Sequence, residues 1–332
     1  MISPIPGNTE SLKRSTIRQM KIDGTVSMKQ IINLIIIFIL VNPPVDAQGL
    51  FGGTTRAVVV GVSEYQDDGI QDLHFAHKDA EAFVDFLRSS AGGSVPIENI
   101  TLLVNEKATR ASVLGALDWL LVNSKKGDKA IIYFSGHGDT ETRTNKKFGY
   151  FLAYDSKTTV YQANACQIDY VKTVIETLSD KQVKVIMISD ACRAGKAEGP
   201  SLNGAQAATS VLQERFGNEI KILSCQPNQV SHEGEKWGNG RGVFSYYLLE
   251  GLYGEADENN DGAVNLMEIR RYLEGKLPYE TSPQQIPLTN GDNIEILAMV
   301  DTERENENIP AISAAESNIE NISGTSTRGI HN

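Results

Sequence analysis

Three apolar, β-branched runs constrain this chain most: Ala57 to Val62, Ala130 to Phe134, and Val183 to Ile188 with Lys184 as its one polar residue. None alternates apolar with polar residues, so each fits a strand covered on both faces. Stretches with a helical period lie between them. Leu73 to Leu87 puts Phe75, Ala76, Ala80, Phe83 and Leu87 on one face, and Thr109 to Val122 has Thr109 as its N-cap. Ile100 to Val104 and Ile220 to Leu223 read as further strands, and Phe148 to Tyr154 as a short extended arm. Ile168 to Leu178, Val243 to Leu252 and Met267 to Leu277 read as helices, and Ile294 to Val300 as a closing strand. Strands that alternate with helices imply right-handed crossovers and a mostly parallel sheet with helices on both faces. The expected fold class is therefore α/β, a three-layer α/β/α sandwich over residues 51–300. In such sheets ligands bind at the C-terminal strand ends.

The flanks read differently. From Met28 a short basic segment with Lys29 leads into an apolar run, Ile31 to Val41, and then to Val45-Asp46-Ala47. This is the pattern of a secretory signal over residues 28–47, cleaved near Ala47, which would export the protein to a periplasm or beyond the cell. The run is short of the roughly 20 residues of a comfortable span, so a membrane is involved only if the signal stays uncleaved. Residues 1–27 are polar and unpatterned and read as an extension upstream of the true start. Residues 301–332 are rich in Asn, Glu and Ser, the composition of a disordered tail. The net charge of -11 leaves no basic stripe to release phosphate counterions, which argues against a nucleic-acid partner.

Two strand ends carry reactive groups. Ser135-Gly136-His137-Gly138 follows one strand and Asp190-Ala191-Cys192 follows the next. A thiol attacks a peptide carbonyl as its thiolate, and a nearby imidazole assists that ionisation and later protonates the leaving amine. The N–H groups of Gly138 and Cys192 would form an oxyanion hole. No organic cofactor is called for. Of three cysteines, Cys166 and Cys225 read as small buried hydrophobes, with Cys225 in a wall of the cleft, and an odd count leaves at least one thiol free.

These residues resemble the caspase family in the broad sense, which includes metacaspases and bacterial caspase-like peptidases. Supporting segments are Arg56 to Tyr65 leading into Asp79-Ala80, and Ser224-Cys225-Gln226 ahead of Gly242-Val243-Phe244. The resemblance implies a caspase-like three-layer fold, His137 as general acid/base and Cys192 as nucleophile. Animal caspases carry Gln-Ala-Cys-Arg-Gly and bind an aspartate side chain through arginines, whereas residues 63–80 here hold no arginine. Asp79 and Asp190 instead match the pocket aspartates of the metacaspase-like branch, and Ser135 and Ser224 match other pocket positions. Two carboxylates select a cationic side chain, so the expected cleavage is after Arg or Lys. The other reading of Asp79 is a helix cap or surface pair. Arg193-Ala194 departs from the His-Ser of that branch's usual motif. The segment 193–217 reads as a long loop, where self-cleavage would follow Lys196 or Arg215.

Residues 257–268 fit the twelve-residue EF-hand loop. Side-chain oxygens come from Asp257, Asn259, Asp261 and Glu268, a carbonyl from Ala263, and Asn265 takes the water-mediated place, with Gly262 at the turn. The expected ligand is Ca2+, bound weakly because a single loop shows no pairing partner in the sequence. The expectation is thus a calcium-responsive, self-processing cysteine endopeptidase whose partners are basic peptide or protein substrates. The alternatives are a gingipain-like or legumain-like peptidase, or an inactive caspase-like calcium-binding module.

Overall fold

The computed structural model describes residues 53–141, 143–145, 148–191, 210, 219–226 and 229–300. The expected signal segment, the tail 301–332, Cys192 and the loop 193–217 apart from Ser210 lie outside the described residues.

A six-stranded sheet forms the centre, in the order β12-β8-β7-β3-β1-β2. Its strands are β1 (Thr55–Gly61), β2 (Ile100–Val104), β3 (Lys129–Ser135), β7 (Lys184–Asp190), β8 (Ile220–Leu223) and β12 (Leu288–Asn290). Five of them run parallel, and β12 closes one edge antiparallel to β8. A small antiparallel arm follows β3: β4 (Gly138–Thr140), β5 (Gly149–Phe151) and β6 (Cys166–Gln167).

Strand alternation divides the core in two. Val58, Val60, Ala130, Ile132, Phe134, Val185 and Met187 face one side, where they pack with α2 (Arg110–Asn123) and α4 (Ile168–Asp180). Ala57, Val59, Ile131, Tyr133, Ile186 and Ile188 face the other, against α1 (Ala76–Arg88), α5 (Val243–Glu250) and α6 (Leu266–Thr281). A four-residue helix, α3 (Tyr161–Asn164), stands between β5 and β6. Two-sided burial is why the middles of these strands are apolar, with polar residues confined to their ends. Thr109 caps α2 as its residue type suggests, accepting the Ser112 N–H at 3.2 Å.

Two expectations are refined. The sheet gains the short strand β12, and the closing strand β13 (Ile296–Met299) does not join the main sheet. It pairs instead with β11 (Ala263–Asn265), matching Ala263 to Met299 and Val264 to Ala298. The remaining ribbon pairs β9 (Glu233–Gly234) with β10 (Arg241–Gly242).

The chain leaves β1 toward the β2 edge and then returns to build outward from β3. The sheet order therefore reverses between β1 and β3, the place where open α/β sheets form ligand crevices.

Candidate active site

Strand register brings the site together. Gly61 lies opposite Ser135, and Ser135 opposite Asp190, so β1, β3 and β7 end level. The Val62 N–H donates to the Ser135 carbonyl at 2.9 Å, and the Gly136 N–H to the Asp190 carbonyl at 3.2 Å. The chain then opens into the His137 loop on β3 and into Ala191 and Cys192 on β7. Cys192 lies just beyond the described residues.

His137 is buried and tied to the surrounding loops. Its backbone N–H donates to the Tyr65 hydroxyl at 2.8 Å, and its carbonyl accepts the Leu152 N–H at 2.9 Å. Its Nε2 lies 2.7 Å from the Gln71 carbonyl. A carbonyl only accepts, so Nε2 carries the proton, and in the neutral ring Nδ1 is then the acceptor nitrogen. Gln71 and Tyr65 both come from the connection after β1, so this contact spans the reversal point of the sheet. The Tyr65 ring also tilts against the imidazole at 5.2 Å between centroids.

Gly138 opens β4. The bonds from Leu152 N–H to His137 and from Glu141 N–H to Phe148 fix which pairs of this ladder are bonded. By alternation the Gly138–Phe151 pair is a non-bonded one, and the Gly138 N–H points away from β5. The arm's own ladder therefore makes no use of that N–H.

The expected pocket residues converge. Asp79 sits in the first turn of α1, fully buried. Its carboxylate accepts from the Gly242 N–H at 3.0 Å, from the Arg241 Nε at 2.7 Å and from the Ser135 hydroxyl at 3.4 Å. The surface-cap reading of Asp79 is thereby excluded. Asp190, also fully buried, accepts from the Ser231 hydroxyl at 2.5 Å and the Ser245 hydroxyl at 3.5 Å. Tyr133 lies between them, bonded to Ser245 at 2.6 Å. Burial first, and then the charges of Asp79 and Asp190, push its phenol far above the usual range. Ser224 is fully buried at the end of β8, and its hydroxyl finds no partner. Gln285 braces this side, donating to the Ser224 carbonyl at 3.0 Å and to Ser231 at 3.1 Å, and accepting from the His232 N–H at 3.0 Å.

Several of these residues escape sequence reading. Gln71 acts through its carbonyl, which any residue supplies. Arg241, Ser231 and Ser245 lie far from Asp79 and Asp190 in sequence and meet them only through folding. Tyr65 alone had a signal, at the end of the Arg56 to Tyr65 segment.

Of the other cysteines, Cys166 is free and buried, and burial pushes its thiol up to about 12. Cys225 is fully buried and disulfide-bonded, so it is not the inert thiol expected.

The loop 257–268 forms a tight turn. Gly262 takes φ +81°, a conformation glycine adopts at no steric cost. Asp257 accepts the Gly262 N–H at 3.0 Å, Asn259 the Asp261 N–H at 2.8 Å, and Asp261 the Ala263 N–H at 3.0 Å. Asn265 and Glu268 form a capping box at the start of α6. Ala263 and Asn265 belong to β11, so β13 of the same chain takes the role of pairing partner that the sequence left vacant. The all-oxygen donor set and the glycine turn fit a hard divalent cation. Among the described residues, however, no group of three or more His, Cys, Asp or Glu side chains is drawn together as a metal cage.

Comparison with known proteins adds an independent line. The family model for the caspase domain matches residues 54–296. A metacaspase-1A of Aspergillus oryzae is 28% identical over 92 residues, covering 26% of this chain and 21% of that protein. A probable protease of a Desulfuromonadales bacterium is 24% identical over 242 residues, covering 66% of this chain and 29% of that protein. The chain thus spans less than a third of the length of these curated relatives. A crystal structure of a Geobacter sulfurreducens protein aligns with TM-score 0.54 and 18% identity, over 75% of this chain and all of that one.

Proposed function

The chain belongs to the caspase-domain family, and on that premise we propose that it is a cysteine endopeptidase with Cys192 as nucleophile and His137 as general acid/base. The observation that carries this reading is the bond from His137 Nε2 to the Gln71 carbonyl, which fixes the tautomer a general base needs.

In the proposed reaction the Cys192 proton passes to His137 Nδ1, and the thiolate attacks the scissile carbonyl carbon. The carbonyl oxygen takes the negative charge and is met by the Gly138 and Cys192 N–H groups. His137 returns its proton to the leaving amine nitrogen as the C–N bond breaks, which leaves a thioester. Water activated by His137 then attacks that carbon, the C–S bond breaks, and acid and thiol are released.

We assign the side chain before the cut to a cationic residue, Arg or Lys, because Asp79 and Asp190 stand fully buried around Ser135 and Tyr133. Ser224 completes this wall. Self-cleavage in the loop 193–217, after Lys196 or Arg215, follows from the same preference. Export after cleavage near Ala47 would bring the enzyme to a calcium-rich medium. There Asp257, Asn259, Asp261, Ala263, Asn265 and Glu268 would hold Ca2+, with a dissociation constant of about 10⁻⁴ to 10⁻³ M.

The test is hydrolysis of matched fluorogenic peptides ending in Arg, Lys, Asp or Asn, by wild type and Cys192→Ala, with calcium or a chelator. Turnover after Arg or Lys that vanishes in the variant is expected. Turnover confined to Asp or Asn would reject the cationic pocket and keep the nucleophile. Inactivity on every peptide would favour the non-enzymatic module.

A further inference from the structure

His137 takes two of its bonds from a single loop. The chain from Ser63 to Leu73 closes on itself, with the Leu73 N–H donating to the Ser63 carbonyl at 2.7 Å. Within it the Tyr65 hydroxyl accepts the His137 N–H at 2.8 Å, and the Gln71 carbonyl meets His137 Nε2 at 2.7 Å. Ile70 and Leu73 are buried, whereas Gln71 and Asp72 between them are exposed. Packing therefore anchors the chain on either side of this carbonyl and leaves its direction to hydrogen bonds.

The Gln71 carbonyl lies in the rigid peptide plane that joins Gln71 to Asp72. Asp72 Oδ1 accepts the Tyr65 backbone N–H at 2.9 Å. One flank of that plane is thus bonded to the residue whose hydroxyl meets the His137 N–H. A second carboxylate ties the loop to the arm that follows His137. Asp67 accepts the Gly69 N–H at 3.0 Å on Oδ1, and the Thr158 N–H at 2.8 Å and hydroxyl at 3.1 Å on Oδ2. The Gly69 N–H first, and the Thr158 N–H next, hold the Asp67 carboxyl below the usual carboxylate range. Thr158 lies between β5 and α3, and Tyr154 of the same stretch accepts the Gln66 N–H at 2.9 Å. The junction is close: a Cβ at Gly69 would stand 3.1 Å from Thr158 Oγ1 and 3.2 Å from Asp67 Oδ1.

We propose that Asp72 and Asp67 are positioning residues for His137: Asp72 sets the plane of the Gln71 carbonyl against Nε2, and Asp67 holds the loop to the arm. Each acts through a backbone bond that another residue makes. The consequence for catalysis rests on the peptidase reading above, whereas the placing of the imidazole is independent of it.

The experiment follows the His137 Nε2 proton by NMR in full-length Cys192→Ala protein carrying isotope-labelled histidine. The signal is assigned by its loss in His137→Gln. An imidazole N–H persists in the spectrum where a bond slows its exchange with water. Slow exchange is expected in the parent and in Asp72→Asn, which keeps the acceptor oxygen and drops the charge. In Asp72→Ala and in Asp67→Ala exchange is expected to be about fivefold faster or more, the worth of one lost hydrogen bond. With Cys192 in place, Asp72→Ala should lower kcat for Arg peptides about tenfold at a KM within about twofold, and Asp72→Asn should stay within about twofold of wild type.

Unchanged exchange in Asp72→Ala would overturn the proposal. So would exchange in Asp72→Asn as fast as in Asp72→Ala, because the charge and not the acceptor would then matter. Asp67→Ala supplies the answer if Asp72→Ala fails to fold, and unchanged exchange there would likewise overturn it. Faster exchange in the alanine variants, in a protein whose wild type cleaves no peptide, would reject the peptidase reading and leave the positioning of His137 standing.

Discussion

Replacing Tyr65 with Phe removes one oxygen and tests how His137 is held. In the wild type the hydroxyl accepts the His137 backbone N–H at 2.8 Å and donates to the Val62 carbonyl at 3.3 Å. Both residues are buried, Tyr65 at 8% and His137 at 7% exposure, so water cannot take over the bond without rearrangement. An orphaned buried donor costs about 1–3 kcal/mol, and the longer bond to Val62 adds little. Phe keeps the ring and its contact with the imidazole, so lost packing is a small part of the effect. The assay is urea unfolding of wild type and variant, followed by tryptophan fluorescence, with the peptidase assay in parallel. A loss of about 1–3 kcal/mol at unchanged m-value is expected. The loop carrying His137 would be released with it, so kcat should fall about tenfold or more while KM changes little. A variant with stability within about 0.5 kcal/mol and unaltered kcat would refute the reasoning.

Gly61 ends β1 against α1, and a Cβ there would lie 2.5 Å from the Ala76 carbonyl oxygen and 2.6 Å from the Ala80 Cβ. Gly61→Ala should therefore cost about 1–3 kcal/mol and displace the turn bearing Asp79, read as a raised KM for Arg peptides; unchanged stability would show that α1 gives way freely. Lys129 is buried at the opposite end of the sheet, and burial pushes its ammonium down to about 8. The unfolded chain then binds more protons between pH 8 and about 10.5, so the charged-lysine penalty is complete below pH 8 and fades as pH rises through that window. Lys129→Met should be more stable than wild type at pH 7 by about 3 kcal/mol, with the advantage shrinking toward pH 10.5 in parallel unfolding curves; a constant difference would contradict this.

The frame of the molecule was legible because burial on both faces leaves a plain trace. Ala57 to Val62 and Ala130 to Phe134 are free of polar side chains, Val183 to Ile188 is broken only by Lys184 near its start, and each lies in a central strand. The edge strand β12 leaves no such trace: Leu288, Thr289 and Asn290 are only partly buried, and pairing with β8 comes from topology. Ile294 to Val300 reads as a strand, but no local signal says that Ile296–Met299 within it pairs with the loop 257–268 and not with the main sheet. Asp79 and Asp190 could be singled out by their places relative to the strands. Their partners could not, since Arg241 stands 162 residues from Asp79 and Ser231 stands 41 from Asp190. Gln71 is the limiting case, because a backbone carbonyl has no residue type.

The register of β3 against β7 has a consequence for quality control in the cell. Ser135 and Asp190 are opposite neighbours, and each leads directly into one of the two reactive segments. A slip of one residue would turn every side chain of a strand to the other face. Asp190 would leave Ser231 and Ser245, and the chain leading to Cys192 would start on the wrong side of the sheet. A misassembled copy of the proposed peptidase would thus be harmless to surrounding proteins, because the error that spoils its core also disarms it.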